Sequence, residues 1–254
     1  MLRLTAKYLL LSAVCLVGCA SKPSAPAEPD SSTLAKGDNA ERTIVIGRSV
    51  EGRPIEMHLF GDGPHPILIL GGIHGNEQNS SQCATLLLDH IRRHRTDFSG
   101  SSIAIIPAAN PDGLARGVRF NARRVDLNRN FPATNWAKAY SSGPTPASEP
   151  ETRALVALLA DLKPRRILSI HSITNAPCNN YDGPAEILAS AMSAQNGYPP
   201  KDSIGYVTPG SLGTWAGVDR KIPIITLELP FSLPGPACWE RNRSALLTFA
   251  RAAD

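Results

Sequence analysis

The stretch Ile67-Leu68-Ile69-Leu70-Gly71-Gly72-Ile73-His74-Gly75-Asn76-Glu77 carries the strongest structural signal in this chain of 254 residues. Its first four residues form a continuous aliphatic run, which is typical of a strand covered on both faces of a sheet. His74 and Glu77 follow this run and are separated by two residues, so both side chains can reach one metal ion. Apolar residues at helical spacing come next and predict a helix over 77–94.

Strand signals and helix signals alternate along the rest of the chain. The predicted strands are 43–50, 54–60, 66–71, 101–108, 165–172, 203–208 and 222–229, and the predicted helices are 77–94, 148–162, 184–196, 212–220 and 236–253. We therefore expect an α/β fold of a single domain, with a mixed, mostly parallel sheet that carries helices on both faces. In such sheets ligands bind beyond the carboxyl ends of the strands.

The long segment 110–147 has no periodic pattern and is rich in Gly, Pro, Asn and Arg. A loop of this length in a compact domain is usually functional. It leads into Ser148-Glu149-Pro150-Glu151, which has the pattern of a capping box and predicts the start of a helix.

The N-terminal residues indicate export. Arg3 and Lys7 precede an apolar run that is too short to span a bilayer, and the run ends in Leu16-Val17-Gly18-Cys19. This resembles a lipoprotein signal, in which the peptide is cut before a cysteine that then carries lipid. We expect a signal peptide at 1–18, lipidation at Cys19, a flexible tether at 19–41 and a folded domain at 42–254. Because Ala20 follows the cysteine, the resemblance to such lipoproteins favours the periplasmic side of the outer membrane.

Charge and cysteine content narrow the possible partners. The formal charge of +4 includes Arg3 and Lys7, so the mature chain is near +2, which gives no support for nucleic-acid binding. Three of the five cysteines remain after the signal and Cys19 are set aside. Cys83 lies in an apolar helical pattern, which predicts a buried thiol. An exported chain can form disulfides, and Cys178 with Cys238 is the pairing we favour.

Two further residues lie at the ends of apolar strand runs. His171 ends Ile-Leu-Ser-Ile-His-Ser, and Glu228 lies near the end of Ile-Thr-Leu-Glu-Leu-Pro. His74, Glu77 and His171 form the kind of ligand set that holds a catalytic zinc and leaves a position open for water. Glu228 would bury a charge at a cost unless it has a partner or a task, which makes it the candidate general base. Four other histidines are interpreted as structural: His58, His65, His90 and His94.

The joint set of motifs resembles the zinc metallocarboxypeptidase family, and within it the murein tripeptide amidase branch. The motifs are HGNE, NPDG at 110–113, NARRVDLNRNFP at 121–132, IHS and TLELP. The resemblance implies one zinc ion and hydrolysis of a C-terminal peptide bond, with His74, Glu77 and His171 as metal ligands. It implies Glu228 as the general base.

The same resemblance implies residues that bind substrate. Asn128 and Arg129 match the pair that holds the terminal carboxylate, a task for which a guanidinium is well suited. Arg119 is the best match to the arginine that stabilises the oxyanion, and Arg116 and Arg123 remain candidates. Tyr206 lies close to the position of the tyrosine that closes over substrate in digestive carboxypeptidases, but it is out of register.

In the murein branch the residue released is diaminopimelate, joined to the γ-carboxyl of D-Glu. Asp182 follows His171 in Asn179-Asn180-Tyr181-Asp182-Gly183 and can bind the ammonium of that side chain, although a plain turn explains Asp182-Gly183 equally well. The expected partners are a murein peptide, or another peptide with a free C-terminal carboxylate, and a membrane reached through the lipid anchor.

Three alternatives stay open from the sequence. The first is a general metallocarboxypeptidase. The second is a deacylase of N-acyl amino acids, of the aspartoacylase and succinylglutamate desuccinylase type, because such enzymes also begin with a GGxHGNE-like stretch. The third is a lipoprotein that binds wall peptides without cleaving them.

Overall fold

The computed structural model describes residues 40–251. The predicted signal peptide at 1–18, Cys19 and all but the last two residues of the predicted tether lie outside this range, so these assignments stay predictions. Between residues 40 and 251, no helix is both long enough and apolar enough to cross a membrane.

Eight strands of the described residues form one mixed sheet. In chain order they are β1 Arg42–Arg48, β2 Pro54–Phe60, β3 Ile67–Leu70, β4 Ile103–Ile106, β5 Arg166–Ile173, β6 Cys178–Asp182, β7 Pro200–Lys201 and β8 Ile224–Pro230. Their order across the sheet is β1-β2-β4-β3-β5-β8-β6-β7. The central strands β4, β3, β5 and β8 are parallel, and β2 and β6 flank them in the antiparallel sense. The prediction of a mixed, mostly parallel sheet is confirmed.

Helices cover both faces of this sheet, as predicted. They are α1 Gln78–Arg93, α2 Pro111–Arg116, α3 Pro150–Leu162, α4 Glu186–Asn196 and α5 Gly235–Arg251, with 3₁₀ turns at Arg95–Phe98 and Leu127–Arg129 and a π-helical turn at Gly213–Val218. Side chains of α1, α4 and α5 share one hydrophobic core with the sheet, and side chains of α3 and the π-helical turn share the other.

The two cores on either side of β3 explain why its sequence is aliphatic throughout. Ile67 and Ile69 belong to the core under α1, while Leu68 and Leu70 belong to the core under α3. All four are 0% exposed, and burial of each such side chain contributes roughly 1.5–3 kcal/mol. The strand is therefore held firmly from both sides, which fixes the starting point of the turn that follows it.

The strand predicted at 203–208 is wrong. The structure has no regular element there; instead it has β6 at Cys178–Asp182 and the short β7 at Pro200–Lys201. Tyr206 and Val207 are 58% and 83% exposed, and Gly205 has φ of 93°, so these two apolar side chains do not pack on the sheet.

The capping box predicted at Ser148–Glu151 is also wrong, although a helix does begin there. Glu149 occupies the N-cap position, and no side chain caps the first turn of α3. The carboxylate of Glu151 instead accepts hydrogen bonds from the backbone N–H of Val50 and from the side chain of Asn121. Residues distant in sequence thus bind the Glu151 carboxylate, which a capping box would use at the start of the helix.

The predicted bridge between Cys178 and Cys238 is absent. Cys83, Cys178 and Cys238 are free and buried. Cys178 lies in β6 opposite Glu228 of β8, whereas Cys238 lies in α5 and contacts Asn79 of α1. Burial raises the pKa of Cys178 to about 11, which keeps this thiol protonated and unreactive.

Candidate active site

The three predicted metal ligands meet at the carboxyl ends of β3 and β5. His74 and Glu77 lie in the turn between β3 and α1, and His171 lies near the end of β5. Gly72 enters this turn with φ of 67°, and a Cβ there would lie 2.8 Å from the side chain of Leu114. Glycine is the residue that tolerates both constraints, so the glycines of the motif allow the turn to fold back over the strand end.

The donor atoms of these side chains converge on one point. His74 Nδ1 lies 2.7 Å from Glu77 Oε1, and His171 Nδ1 lies 3.1 Å from both His74 Nδ1 and Glu77 Oε2. Ligands of a tetrahedral zinc at 2.0–2.1 Å lie about 3.3 Å apart, so the spacing fits that ion. Two imidazole nitrogens that face each other can share only one proton, whereas a cation pairs with both. Among residues 40–251 this is the only group of its kind.

The electrostatics of the group favour the metal-binding form of Glu77 and His171, whereas they favour the protonated form of His74. Burial opposes ionisation of Glu77, but the adjacent His74 and His171 outweigh it and hold the pKa of this carboxyl well below its usual range. Burial lowers the pKa of His171, which keeps that imidazole neutral and able to donate a lone pair. Burial alone would lower the pKa of His74, but the negative charges of Glu77 and Asp126 outweigh this effect and raise the pKa of that imidazole.

Asp126 is a site residue that the sequence analysis did not single out. Its Oδ1 lies 3.0 Å from His74 Nε2, and the same oxygen accepts from the backbone N–H of Asn128. A carboxylate behind a metal-binding histidine fixes the ring orientation and makes the imidazole a better ligand. The available signal was its place as the acid of the DLNRNFP motif, directly before Leu127.

We expect Asp126→Asn to weaken zinc binding by about 10- to 100-fold, because the variant keeps the size of the side chain and loses the charge that supports His74. Competition with a chromophoric chelator measures the zinc dissociation constant. Asp219→Asn is the matched control, since the hydrogen bonds of the Asp219 carboxylate among residues 40–251 are both with Thr134. Equal zinc affinity in Asp126→Asn and wild type would contradict this role.

Asn128 and Arg129 lie in the 3₁₀ turn that Asp126 caps. Asn128 Oδ1 accepts from the backbone N–H of Leu212 at 2.9 Å, and Arg129 donates from Nη1 to the carbonyl of Asn128 at 2.7 Å. Gly210 packs so closely that a Cβ would lie 2.5 Å from the carbonyl oxygen of Arg129. The turn is thereby held between Asp126 and the segment before the π-helical turn. Among the described residues, Arg129 has no ion-pair partner.

Glu228 lies beside the metal ligands. It is the residue of β8 that pairs with His171 of β5, and in neighbouring parallel strands such partners lie next to each other on the same side of the sheet. Burial raises the pKa of Glu228 to about 7, and the negative charge of Glu77 adds to the effect. A carboxyl group that is half ionised near neutral pH is suited to taking up and releasing a proton.

The structure separates the three candidate arginines. Arg119 donates from Nε to Asp126 at 2.9 Å, and its Nη1 lies 3.6 Å from Glu77 Oε1. Arg116 pairs with Glu51 and Arg123 lies 3.8 Å from Glu149, both away from the metal ligands. Arg119 is therefore the arginine that contacts the site.

A cavity of about 430 Å³ lies along β6. Its charged lining residues are Asp182 and Asp202, and Tyr206 belongs to its exposed wall. No described residue donates a hydrogen bond to the Asp182 carboxylate, and burial raises its pKa. A Cβ on Gly213 would lie 2.3 Å from Asp182 Oδ2, so the glycine in the π-helical turn makes room for this carboxylate.

Fold and site together define a metal-dependent hydrolase built on the carboxypeptidase fold. Residues 33–230 match the zinc carboxypeptidase family, and the chain belongs to it. Members of this family use one zinc, for which His74, Glu77 and His171 form a capable site. The enzyme is therefore a zinc metallopeptidase.

The curated relatives include murein peptide amidase A of Escherichia coli, which is 36% identical over 215 residues that cover 74% of this chain and 81% of the relative. Murein peptide amidase A of Vibrio campbellii is 33% identical over 208 residues, covering 72% and 77%. The crystal structure of murein-tripeptide amidase from Escherichia coli O157 superposes with a TM-score of 0.67 at 28% identity, covering 86% of this chain and 95% of that one.

Proposed function

We propose that this protein hydrolyses the bond between γ-D-Glu and meso-diaminopimelate in murein peptides. Two observations carry the proposal: the zinc site, and a cavity along β6, the strand next to β8, whose charged lining consists of two carboxylates, Asp182 and Asp202. Diaminopimelate is distinguished from most C-terminal residues by an ammonium on its side chain. The murein amidases among the relatives support the same substrate class.

The proposed mechanism assigns one task to each side chain. His74, Glu77 and His171 would hold the zinc ion, and the bound ion would supply a Lewis acid for the scissile carbonyl and for the attacking water. Glu228 takes up a proton from that water and passes it to the departing amine nitrogen. The guanidinium of Arg119 stabilises negative charge as it develops on the carbonyl oxygen.

Recognition of the C-terminal residue uses a second group of side chains. Arg129 has no carboxylate partner of its own among the described residues, so its guanidinium is available to the terminal carboxylate of a peptide. The amide of Asn128, anchored by its oxygen to Leu212, offers donors beside it. Asp182 binds the side-chain ammonium, which relieves the cost of burying this carboxyl without a partner. Tyr206 closes the exposed wall of the cavity over the bound residue.

The proposal predicts that the zinc form releases free diaminopimelate from L-Ala-γ-D-Glu-meso-diaminopimelate, and that a chelator stops the release. Peptides ending in Leu and N-acetyl-aspartate are the comparison substrates, and all products are quantified by mass spectrometry. Efficient cleavage of the Leu peptide without release of diaminopimelate would indicate a general carboxypeptidase. Turnover of N-acetyl-aspartate alone would indicate a deacylase, and binding without turnover would indicate a wall-peptide receptor.

The variant Asp182→Asn tests the specificity part of this proposal. We expect kcat/KM for the tripeptide to fall by roughly 10- to 150-fold, which corresponds to the 1.5–3 kcal/mol of a hydrogen bond to a charged group. Cleavage of the Leu peptide should change little. Asp161→Asn makes the same chemical change at an exposed position of α3, outside the cavity, and is the matched control for a general loss of negative charge.

We also propose that the protein is a lipoprotein held by Cys19 on the periplasmic side of the outer membrane. The support is the Leu16-Val17-Gly18-Cys19 stretch followed by Ala20. Cells grown with labelled palmitate should yield labelled wild-type protein in the outer-membrane fraction. Cys19→Ser should lose the label while Cys15→Ser keeps it, and an unlabelled wild-type protein would refute the assignment.

A further inference from the structure

Asn79 lies in the first turn of α1, two residues after Glu77, and only 6% of its surface is exposed. A buried amide is costly unless its polar atoms are paired. Its Nδ2 donates to the carbonyl oxygens of Pro230 and Leu233, both at 3.0 Å. Its Oδ1 accepts from the hydroxyl of Ser172 at 2.6 Å. This one side chain therefore joins the helix after the metal-binding turn to two other segments of the fold.

Ser172 links Asn79 to the metal ligands. It directly follows His171 in β5, and its backbone N–H donates to Glu77 Oε2 at 3.0 Å. Ser172 thus donates two hydrogen bonds, one from its backbone N–H to the Glu77 carboxylate and one from its hydroxyl to Asn79. Because the backbone of α1 joins Asn79 to Glu77, these contacts form a closed ring. Such a closed ring restricts rotation of the carboxylate and the distance between α1 and β5.

The Nδ2 group of Asn79 binds the end of β8, the strand that carries the proposed base. β8 ends at Pro230, two residues after Glu228. The Nδ2 bonds to Pro230 and Leu233 hold the turn that follows this strand against the start of α1. Neither side chain of the Asn79–Ser172 pair is a metal ligand, yet their bonds fix the segments that carry Glu77, His171 and Glu228.

We propose that Asn79 and Ser172 are positioning residues of the zinc site, which hold the Glu77 carboxylate and the His171 imidazole at the separation that one zinc ion requires. Groups that orient metal ligands typically change metal affinity by about 10- to 100-fold when they are removed. The proposal rests on the zinc site and is independent of which peptide the enzyme cleaves.

The test is a double-mutant cycle on zinc affinity, measured by chelator competition with the full chain. Ser172→Ala removes the hydroxyl and keeps the backbone bond to Glu77, and we expect zinc to dissociate about 10-fold more readily. Asn79→Ala removes the same hydrogen bond and also both donor bonds to Pro230 and Leu233, and it should cost up to about 100-fold. Because both changes break the same hydrogen bond, the double variant should bind zinc about as well as Asn79→Ala alone.

Ser193→Ala is the matched control. The Ser193 hydroxyl accepts from the buried Asn179 side chain and donates to the carbonyl of Tyr198, so this variant also loses a serine–asparagine hydrogen bond in the interior, but on α4. It should lower the melting temperature of the metal-free protein as Ser172→Ala does and leave zinc affinity unchanged.

Three results would overturn the proposal: wild-type zinc affinity in Ser172→Ala, fully multiplicative effects in the double variant, or an equal loss of affinity in Ser193→Ala. Ser172→Ala and its control alone decide the matter if Asn79→Ala fails to fold, since Ser172→Ala leaves both Asn79 donor bonds intact.

Discussion

Replacing Glu228 by Gln is expected to lower kcat for peptide hydrolysis by about 10³-fold, the scale of a lost general base. The amide occupies the same volume but cannot take up a proton from water at neutral pH. The zinc ligands are untouched, so zinc content should stay at one ion per chain. The rate of diaminopimelate release from the tripeptide, with zinc measured in the same sample, checks both statements.

The same variant is expected to stabilise the protein after zinc is removed. Burial raises the pKa of Glu228 from an ordinary value of 4.5 to about 7. A folded-state pKa above the unfolded value means that wild-type protein loses stability as pH rises from about 4.5 through about 7. At 1.36 kcal/mol per pKa unit, the full cost is about 3 kcal/mol at pH 8. The glutamine side chain bears no charge to bury, so the variant avoids this cost.

Urea unfolding of the two metal-free proteins should therefore give equal free energies near pH 4 and a difference of about 3 kcal/mol at pH 8 in favour of Glu228→Gln. Glu56→Gln makes the same chemical change at an exposed position of β2 and should shift neither activity nor stability. A difference that does not vary with pH would show that Glu228 does not ionise in the folded interior. Retained hydrolysis in Glu228→Gln would refute its role as base.

The second large effect is expected for His171→Ala. Structural zinc sites bind with about 10–16 kcal/mol shared among about four ligands, or roughly 3 kcal/mol for each. Loss of one imidazole should therefore weaken zinc binding by about 10²-fold or more and abolish hydrolysis at stoichiometric zinc. The variant also removes one of the partners of the buried Glu77 carboxylate, the imidazole at 3.1 Å, so the folded protein should be destabilised as well.

Chelator competition and thermal melts with and without zinc measure these two losses. Zinc should raise the melting temperature of the wild type strongly, because a ligand that binds only the folded state stabilises it by mass action, and should raise that of His171→Ala much less. His65→Ala is the control: within the described part of the chain, the ring of this exposed histidine bonds only to the carbonyl of Lys163. Equal zinc stabilisation of His171→Ala and wild type would exclude His171 as a ligand.

Local patterns predicted the central strands well, because a parallel strand buried on both faces must be aliphatic throughout. Ile67–Leu70 and the run that contains Glu228 were recognised for this reason. β6 was missed because Cys178–Asp182 is largely polar. Two of its polar side chains are paired inside the fold, Asn179 with the carbonyl of Tyr198 and Asn180 with the carbonyl of Lys201, and no pattern along the strand indicates that pairing.

Contacts between distant residues decided the details of the site. The resemblance favoured Arg119 and left Arg116 and Arg123 as candidates, and packing shows that Arg119 is the one that reaches Asp126. Asp126 itself gains its role from a bond to His74, which lies 52 residues earlier in the chain. A sequence motif shows which side chains are present, whereas the partner of each side chain depends on how the segments pack.

By itself, the order of aliphatic runs and polar strand ends determined the class of fold and which side chains meet at the metal, because the carboxyl ends of parallel strands share one edge of the sheet. Only the tertiary structure decided that the Glu151 carboxylate binds Asn121 instead of capping its helix, and that Cys178 and Cys238 form no disulfide. Likewise, it joined Asn79 to Ser172. These outcomes depend on distances between segments, and buried hydrogen bonds form with whichever partner the packing brings within about 3 Å.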